Sequence, residues 1–482
     1  MLWLFYHAGW LLHFGFAMIP FKRALIAGLL CLMSAPALAA VQTFELTNGL
    51  KIYVKEDHRA PVVVSQVWYR AGSMDEFNGT TGVAHVLEHM MFQGTHEVPA
   101  GQFSRLIAAA GGRENAFTAR DHTAYFQQLQ KDRLELAFKL EADRMHNLNL
   151  SADDFAKEIQ VVMEERRLRT DDKPEARVYE QLMASAFDAS PYRRPIIGWM
   201  NDLEQMNVND ARDWYRRWYA PNNATLVVVG DIRADDVKAL AERYFGPIAA
   251  QPLPTRKPQL EPVQAGIRRV SVKAPAKLPY LIMAYHVPVL RNVQTDWEPY
   301  ALQVLAAVLD GGDAARLTRN LVRNLVRAQR VANEAGAGYD AVARGPGLFL
   351  LDGTPAEGKS AADLEVALRA QLVLLQREGV SADELKRVKA QVVAADVYQR
   401  DSSFFQAMQI GEYATVGLPV AELDARVQKL QAVTAEQVRE VARKYLVDEQ
   451  LTVAMLDPQP LDNKAPRPAV PSMRHSEIGG LR

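Results

Sequence analysis

Val208-Asn-Asp-Ala-Arg-Asp-Trp-Tyr-Arg-Arg-Trp-Tyr219, followed by Thr225-Leu-Val-Val-Val-Gly-Asp231, is the stretch from which the architecture can be read. It has the pattern of a capped amphipathic helix, a short turn and an apolar strand that ends in Asp. The pattern returns near the other end of the chain, in Thr434-Ala-Glu-Gln-Val-Arg-Glu-Val-Ala-Arg-Lys-Tyr445 and Leu451-Thr-Val-Ala-Met-Leu-Asp457. Tyr to Asp is twelve residues in both copies, and the two Tyr positions differ by 226. Between the copies stand five prolines, at 247, 252, 254, 258 and 262. Proline removes amide donors and favours extended chain, so this segment reads as a semi-rigid linker. Duplication accounts for the whole pattern. The expected fold class is α+β, with two homologous α/β-sandwich domains, each a sheet with helices packed on it, joined by the Pro-rich linker. The boundaries fall at 40–246, 247–265 and 266–458, and residues 459–482, rich in Pro and polar side chains, read as a mobile tail.

Outward from these copies the elements alternate. Residues 50–54, 62–69, 225–229, 281–285 and 348–351 read as strands. Residues 83–91, 101–110 and 131–148 read as helices, and Ser151 as the N-cap of a helix running to about Arg169. The chain has 482 residues, 49% of them hydrophobic and 23% charged, which is the composition of an ordinary globular protein and excludes global disorder. Its net charge of −1 leaves no basic surplus to neutralise phosphates, which argues against a nucleic-acid partner.

The amino terminus reads as an address. Residues 1–39 carry two charges, Lys22 and Arg23, then an apolar run, then Ser34-Ala35-Pro36-Ala37-Leu38-Ala39. This is a signal peptide with a small-residue cleavage site after Ala39, and Met18 is a natural start for it, so the residues before Met18 fit a misassigned start. The competing reading is a retained membrane anchor, because residues 2–19 contain no Lys, Arg, Asp or Glu. Cleavage predicts a periplasmic or secreted protein with no stable membrane span in the mature chain. The single cysteine, Cys31, would leave with the signal, so the mature fold owes nothing to disulfides.

The sharpest chemical signal is His85-Val-Leu-Glu88-His89. Residues four apart share a helix face, so both imidazoles can point at one metal ion, and Glu88 can stand at its edge and take a proton from water there. This is the inverted form of the His-Glu-x-x-His arrangement, and imidazole ligands favour zinc. The flanks Val83, Ala84, Val86, Leu87, Met90, Met91 and Phe92 are apolar, so the helix is buried, and buried imidazoles need a reason to be there. A hydrolytic site needs a third ligand and an open position. Candidates lie in Asp154-Phe-Ala-Lys-Glu158-Ile-Gln-Val-Val-Met-Glu164-Glu165. Glu158 and Glu165 are two helical turns apart and share a face, so Glu165 could ligate while Glu158 orients a histidine or the water. Spacing alone does not separate Glu164 from Glu165.

With these residues the sequence resembles the pitrilysin-type zinc metallopeptidases, the inverzincins, from about Phe44 to Asp457. The resemblance is most specific in His85-x-x-Glu88-His89 followed seventy-six residues later by Glu165, which favours Glu165 over Glu164. It implies that His85, His89 and Glu165 hold one Zn2+ per chain, that Glu88 is the general base, and that Glu158 supports the site. A second matching stretch, Gly111 to Tyr125, implies an edge strand in which Asn115 and Ala116 pair with the backbone of a peptide substrate by β-augmentation. The function implied is a zinc-dependent endopeptidase that hydrolyses peptides or unfolded polypeptides in an enclosed chamber. The family also contains noncatalytic peptide-binding or scaffold subunits, which is the alternative.

Shifting the histidine motif by 226 lands on Gly311-Gly-Asp-Ala-Ala315, where no ligand stands, so the second half reads as a noncatalytic copy walling the chamber. The resemblance also implies an Arg and a Tyr, seven residues apart, facing the zinc from a noncatalytic domain. No arginine from Arg316 to Arg330 has a Tyr at that distance. The expectation is therefore a related subunit that supplies Arg and Tyr in a clam-shell heterodimer, with a homodimer as the alternative.

Overall fold

The computed structural model describes residues 40–323 and 330–461. The signal segment with Cys31, residues 324–329 of the arginine-rich stretch, and the tail beyond 461 lie outside the described residues.

Two mixed sheets organise the chain. The first contains β1 (Gln42–Glu45), β2 (Lys51–Glu56), β3 (Val62–Tyr69), β4 (Arg113–Thr118), β5 (Thr123–Gln130) and β6 (Ala224–Gly230), in the order β1-β2-β6-β3-β5-β4. The second contains β7 (Arg268–Pro275), β8 (Tyr280–Val287), β9 (Ala332–Tyr339), β10 (Gly347–Pro355) and β11 (Leu451–Gln459), in the order β7-β11-β8-β10-β9. Apart from β1 the two orders are the same. In each sheet the last strand pairs parallel with the first of the shared set and antiparallel with its other neighbour. Identical strand order with identical polarity is what a duplication leaves behind. The repeat suggested by Tyr219 and Tyr445 is thus a repeat of topology.

Five helices set the site and the joint: α1 (Val83–Met90), α2 (Ala152–Arg166), α3 (Pro174–Ala186), α4 (Glu298–Asp310) and α5 (Ser403–Val416). The halves are less separate than a linker between two domains suggests. Helix α3, from the first half, packs on β7, β8 and β11 of the second sheet, and α5, from the second half, packs on β3 and β6 of the first. Val178 and Leu182 of α3 share a core with Val272, Ile282 and Ala454. Ala407 and Ile410 of α5 share one with Val64, Trp68, Val227 and Val229. Gly411 lets α5 approach so closely that a Cβ there would lie 2.5 Å from Trp68 Cζ2. The joint also carries buried charge. Arg344 grips Asp75 through two bonds of 2.8 and 2.9 Å, and Arg256 of the linker reaches the same carboxylate at 2.7 Å.

Several sequence-based bounds shift. The helix expected from 131 begins as a 3-10 turn and becomes α-helical at Leu134. The one capped by Ser151 stops its α-helical run at Arg166, which is held by Glu180 and the Gly198 carbonyl, and widens into a π turn over Arg167–Asp171. Gln459, placed in the tail, closes β11 on Pro275. The counterpart of α1 by connectivity is α4, the helix that follows β8, and residues 311–315 lie just beyond it. The loop lengths before the two helices differ, so one offset does not carry across the whole repeat. Helix α4 contains no histidine, so the conclusion that the second half lacks the ligands stands on the correct helix.

Candidate metal centre

Helix α1 is buried along its whole length, so its start must satisfy its amide groups inside the protein. Glu76 does this from the preceding loop: its carboxylate accepts from Gly82 N at 2.9 Å and Ala84 N at 3.0 Å. Burial pushes that carboxyl up to about 8 against the pull of these amides. Gly82 turns into the helix at φ +90°, and a Cβ there would strike the Ile197 carbonyl at 2.5 Å. The helix is thereby fixed in rotation, with His85 and His89 on the face toward α2. Helix α2 starts on Ser151, whose hydroxyl accepts from Asp154 N at 3.0 Å.

His85, His89 and Glu165 each offer one donor atom, and the three atoms lie within 4.8 Å of one another. His89 Nε2 is 3.3 Å from Glu165 Oε2, and His85 Nε2 is 3.8 Å from Glu165 Oε1. Donors about 2.1 Å from a tetrahedral ion stand roughly 3.4 Å apart, so this spacing suits zinc with a small inward movement. The donor chemistry, two imidazoles and a carboxylate, suits the same ion. His89 Nδ1 lies 3.2 Å from Glu158 Oε2, which turns its Nε2 toward the cluster, and Gln93 donates to Glu158 Oε1 at 2.9 Å. Arg169, from the π turn, pairs with Glu165 Oε1 at 2.6 Å. Glu164, left open by spacing, points elsewhere and binds Arg167 at 3.0 Å.

The electrostatics of the metal-free cluster are those of ion pairs. Burial would lower the His89 imidazolium, but Glu158 and Glu165 outweigh it and hold its pKa up. Burial would raise the Glu165 carboxyl, but the two histidines and Arg169 outweigh it and hold it down. To hold a divalent ion here, His89 would have to give up its extra proton. Glu88 is buried at the edge of the cluster, and burial raises its carboxyl. The Thr118 hydroxyl donates to Glu88 Oε2, which ties it to β4.

Strand β4 is the outer strand of its sheet, paired with β5 alone. Asn115 and Ala116 lie mid-strand opposite Phe126 and Tyr125, and the Asn115 side chain accepts from Ala116 N at 2.9 Å. His122 lies apart from the cluster, packed on Trp68 and Phe117. Glu76, Gln93, Thr118 and Arg169 were not singled out from sequence. Gln93 alone left a signal, four residues beyond His89.

Two family models match: "Insulinase (Peptidase family M16)" over residues 51–199 and "Peptidase M16 inactive domain" over residues 205–392. Zinc protease PqqE of Helicobacter pylori is 30% identical over 425 residues, covering 86% of this chain and 93% of that protein. The chain belongs to peptidase family M16. Among solved M16-like structures, a protease from Helicobacter pylori superposes with a TM-score of 0.82 at 28% identity, covering 87% of this chain and all of that one. The periplasmic protease PqqL of Escherichia coli superposes with a TM-score of 0.72 at 20% identity, covering 87% of this chain and 48% of that one. The insulinase model spans α1 and α2, and the inactive-domain model covers β7 to β10 of the second sheet but not β11.

Proposed function

We propose that the chain is a zinc endopeptidase in which His85, His89 and Glu165 hold the ion and Glu88 is the general base. The convergence of those three donors from two helices is the observation that carries this reading. When bound, zinc supplies Lewis acidity and lowers the pKa of water at the site towards ~7. Glu88, anchored through one oxygen by Thr118, keeps the other for that water, takes its proton and returns it to the leaving amine. Glu158 and Gln93 hold the His89 ring, and Arg169 holds the Glu165 carboxylate. The open edge of β4 at Asn115 and Ala116 takes an extended peptide by main-chain pairing, which is indifferent to most side chains.

The second half walls a chamber that favours unfolded chains. A related subunit supplies the Arg and Tyr pair that the arginines from Arg316 to Arg330 do not form, and a homodimer is the alternative arrangement. PqqL, of which this chain spans 48%, has the length of two such units in one chain. The signal pattern in residues 1–39 supports a periplasmic or secreted mature chain, with an N-terminal anchor as the alternative. Among the described residues no helix is long and apolar enough to cross a membrane.

The test compares wild type with Glu88→Gln, each loaded with zinc, on unfolded protein and a peptide library, alone and with any co-purifying homologue. Glu88→Gln should keep one zinc per chain and lose at least ~100-fold in turnover. Retained turnover would remove Glu88 from the role of base. Full activity of the lone wild-type monomer would remove the partner. Stoichiometric zinc with no hydrolysis in any combination would favour a scaffold subunit.

A further inference from the structure

The β4–β5 hairpin ends in a two-residue turn, Arg120-Asp121, closed by Ala119 N to the His122 carbonyl at 2.8 Å. This tip is held on every side. Ser73 N and Met74 N donate to the Ala119 and Arg120 carbonyls at 3.2 and 3.0 Å. The Asp121 carboxylate accepts from Tyr192 Oη at 2.6 Å and from Arg344 N at 2.9 Å. The Arg120 side chain therefore projects from a rigid base two residues beyond Thr118, which itself touches Glu88.

Asp121 and Asp340 act on Arg120 only at longer range, and its direct contacts are neutral. The guanidinium lies over the rings of Tyr179 and Tyr192, at 5.9 and 5.7 Å from their centroids, and donates to Tyr179 Oη at 3.1 Å. Its Nε is buried and has no acceptor. No carboxylate among the described residues comes within ion-pair distance of it. The buried arginines Arg144 and Arg166 of the first half, by contrast, pair directly with Glu141 and Glu180. A half-buried guanidinium that no carboxylate pairs directly still has N–H groups to offer a carboxylate arriving from outside. Tyr179, which forms one wall, is 36% exposed, and Arg120 itself is partly exposed, so the corner is open to solvent.

We propose that Arg120, framed by Tyr179 and Tyr192, is a specificity-determining subsite that binds a carboxylate of the peptide held along β4. This rests on the reading of β4 as the substrate-bearing edge. Main-chain pairing on β4 supplies affinity without sequence preference, and Arg120 adds the preference. Its fork matches a carboxylate with two parallel bonds, and the rings hold the plane of the guanidinium in place. The carboxylate comes from an Asp or Glu side chain beside the scissile bond or from a peptide carboxy terminus.

The test measures binding to the zinc-loaded Glu88→Gln chain, which needs no turnover. The probes are short labelled peptides of Ala, Gly and Ser that carry one Glu, Gln or Lys at each register, each with a free or an amidated carboxy terminus. At one register the Glu peptide should bind about tenfold tighter than its Gln counterpart. Adding Arg120→Gln should erase that ratio, and Arg120→Glu should turn it in favour of Lys. A gain confined to free carboxy termini, and lost with Arg120→Gln, assigns the terminal carboxylate. Equal binding of Glu, Gln and free-terminus peptides to the Arg120 protein would overturn the proposal, as would a ratio that survives Arg120→Gln. Hydrolysis that persists in Glu88→Gln speaks against the peptidase mechanism instead, so the two readings fail separately.

Discussion

Acidification should destabilise this protein through one buried imidazole. His122 is buried, with its ring centroid 4.6 Å from that of Trp68 and 5.7 Å from that of Phe117, and its Nδ1 has no acceptor. Burial lowers its pKa to about 3, helped by the nearby Arg344 guanidinium. In the unfolded chain the same ring titrates near ~6.5. Below that pH the unfolded state binds a proton that the folded state refuses. Stability is therefore intact above pH ~6.5 and falls by roughly 1.4 kcal/mol per pH unit until the folded pKa is reached. At pH 5 the loss is about 2 kcal/mol, a large share of a typical net stability. His122→Phe keeps an aromatic ring against Trp68 and Phe117 and cannot titrate. Any overpacking it causes is independent of pH. Urea unfolding of wild type and variant at pH 7.5, 6.5, 5.5 and 5.0 gives the difference between them. Other titrating groups, His89 included, cancel in that difference. The variant should gain about 2 kcal/mol on wild type across the series. A difference that stays constant would show that the folded protein protonates His122 as readily as the unfolded chain does, and the burial argument would fail.

The ligand assignment is tested by neighbouring carboxylates. Glu165→Gln should weaken zinc binding by at least ~100-fold, whereas Glu164→Gln, which removes only the bond to Arg167, should leave zinc content unchanged. Equal zinc content in both would return Glu164 to the ligand set. Gly411→Ala should cost about 2–3 kcal/mol, read as a fall in melting temperature, because the new methyl group meets the Trp68 ring and pushes α5 off β3 and β6. An unchanged melting temperature would mean that the joint between the halves is more compliant than its packing indicates.

Much of the site was legible because its signals are periodic. His85 and His89 are one turn apart and Glu158 and Glu165 two turns apart, so the face that each residue takes follows from helix geometry alone. Strand positions were legible for the same reason, and Val62–Tyr69 was placed to the residue. What escaped were contacts that cross the chain. Glu76 caps α1 from a loop, Thr118 holds Glu88 across thirty residues, and Gln93 holds Glu158 across sixty-five. None of these has a spacing rule, because the distance between partners is set by the packing of sheets and helices.

The division between the two sources of information follows from range. By itself the sequence determined the repeat, the alternation of elements, the inverted histidine motif on a buried helix and the pair of acidic candidates. All of these depend on neighbours within a few turns. The resemblance favoured Glu165 over Glu164, and the tertiary structure supplies the physical reason: the two are adjacent in the chain but point in different directions from α2, one to Arg167 and one to His89. Only the tertiary structure decided that the halves exchange α3 and α5. An apolar helix face specifies that it must be buried without specifying against which sheet.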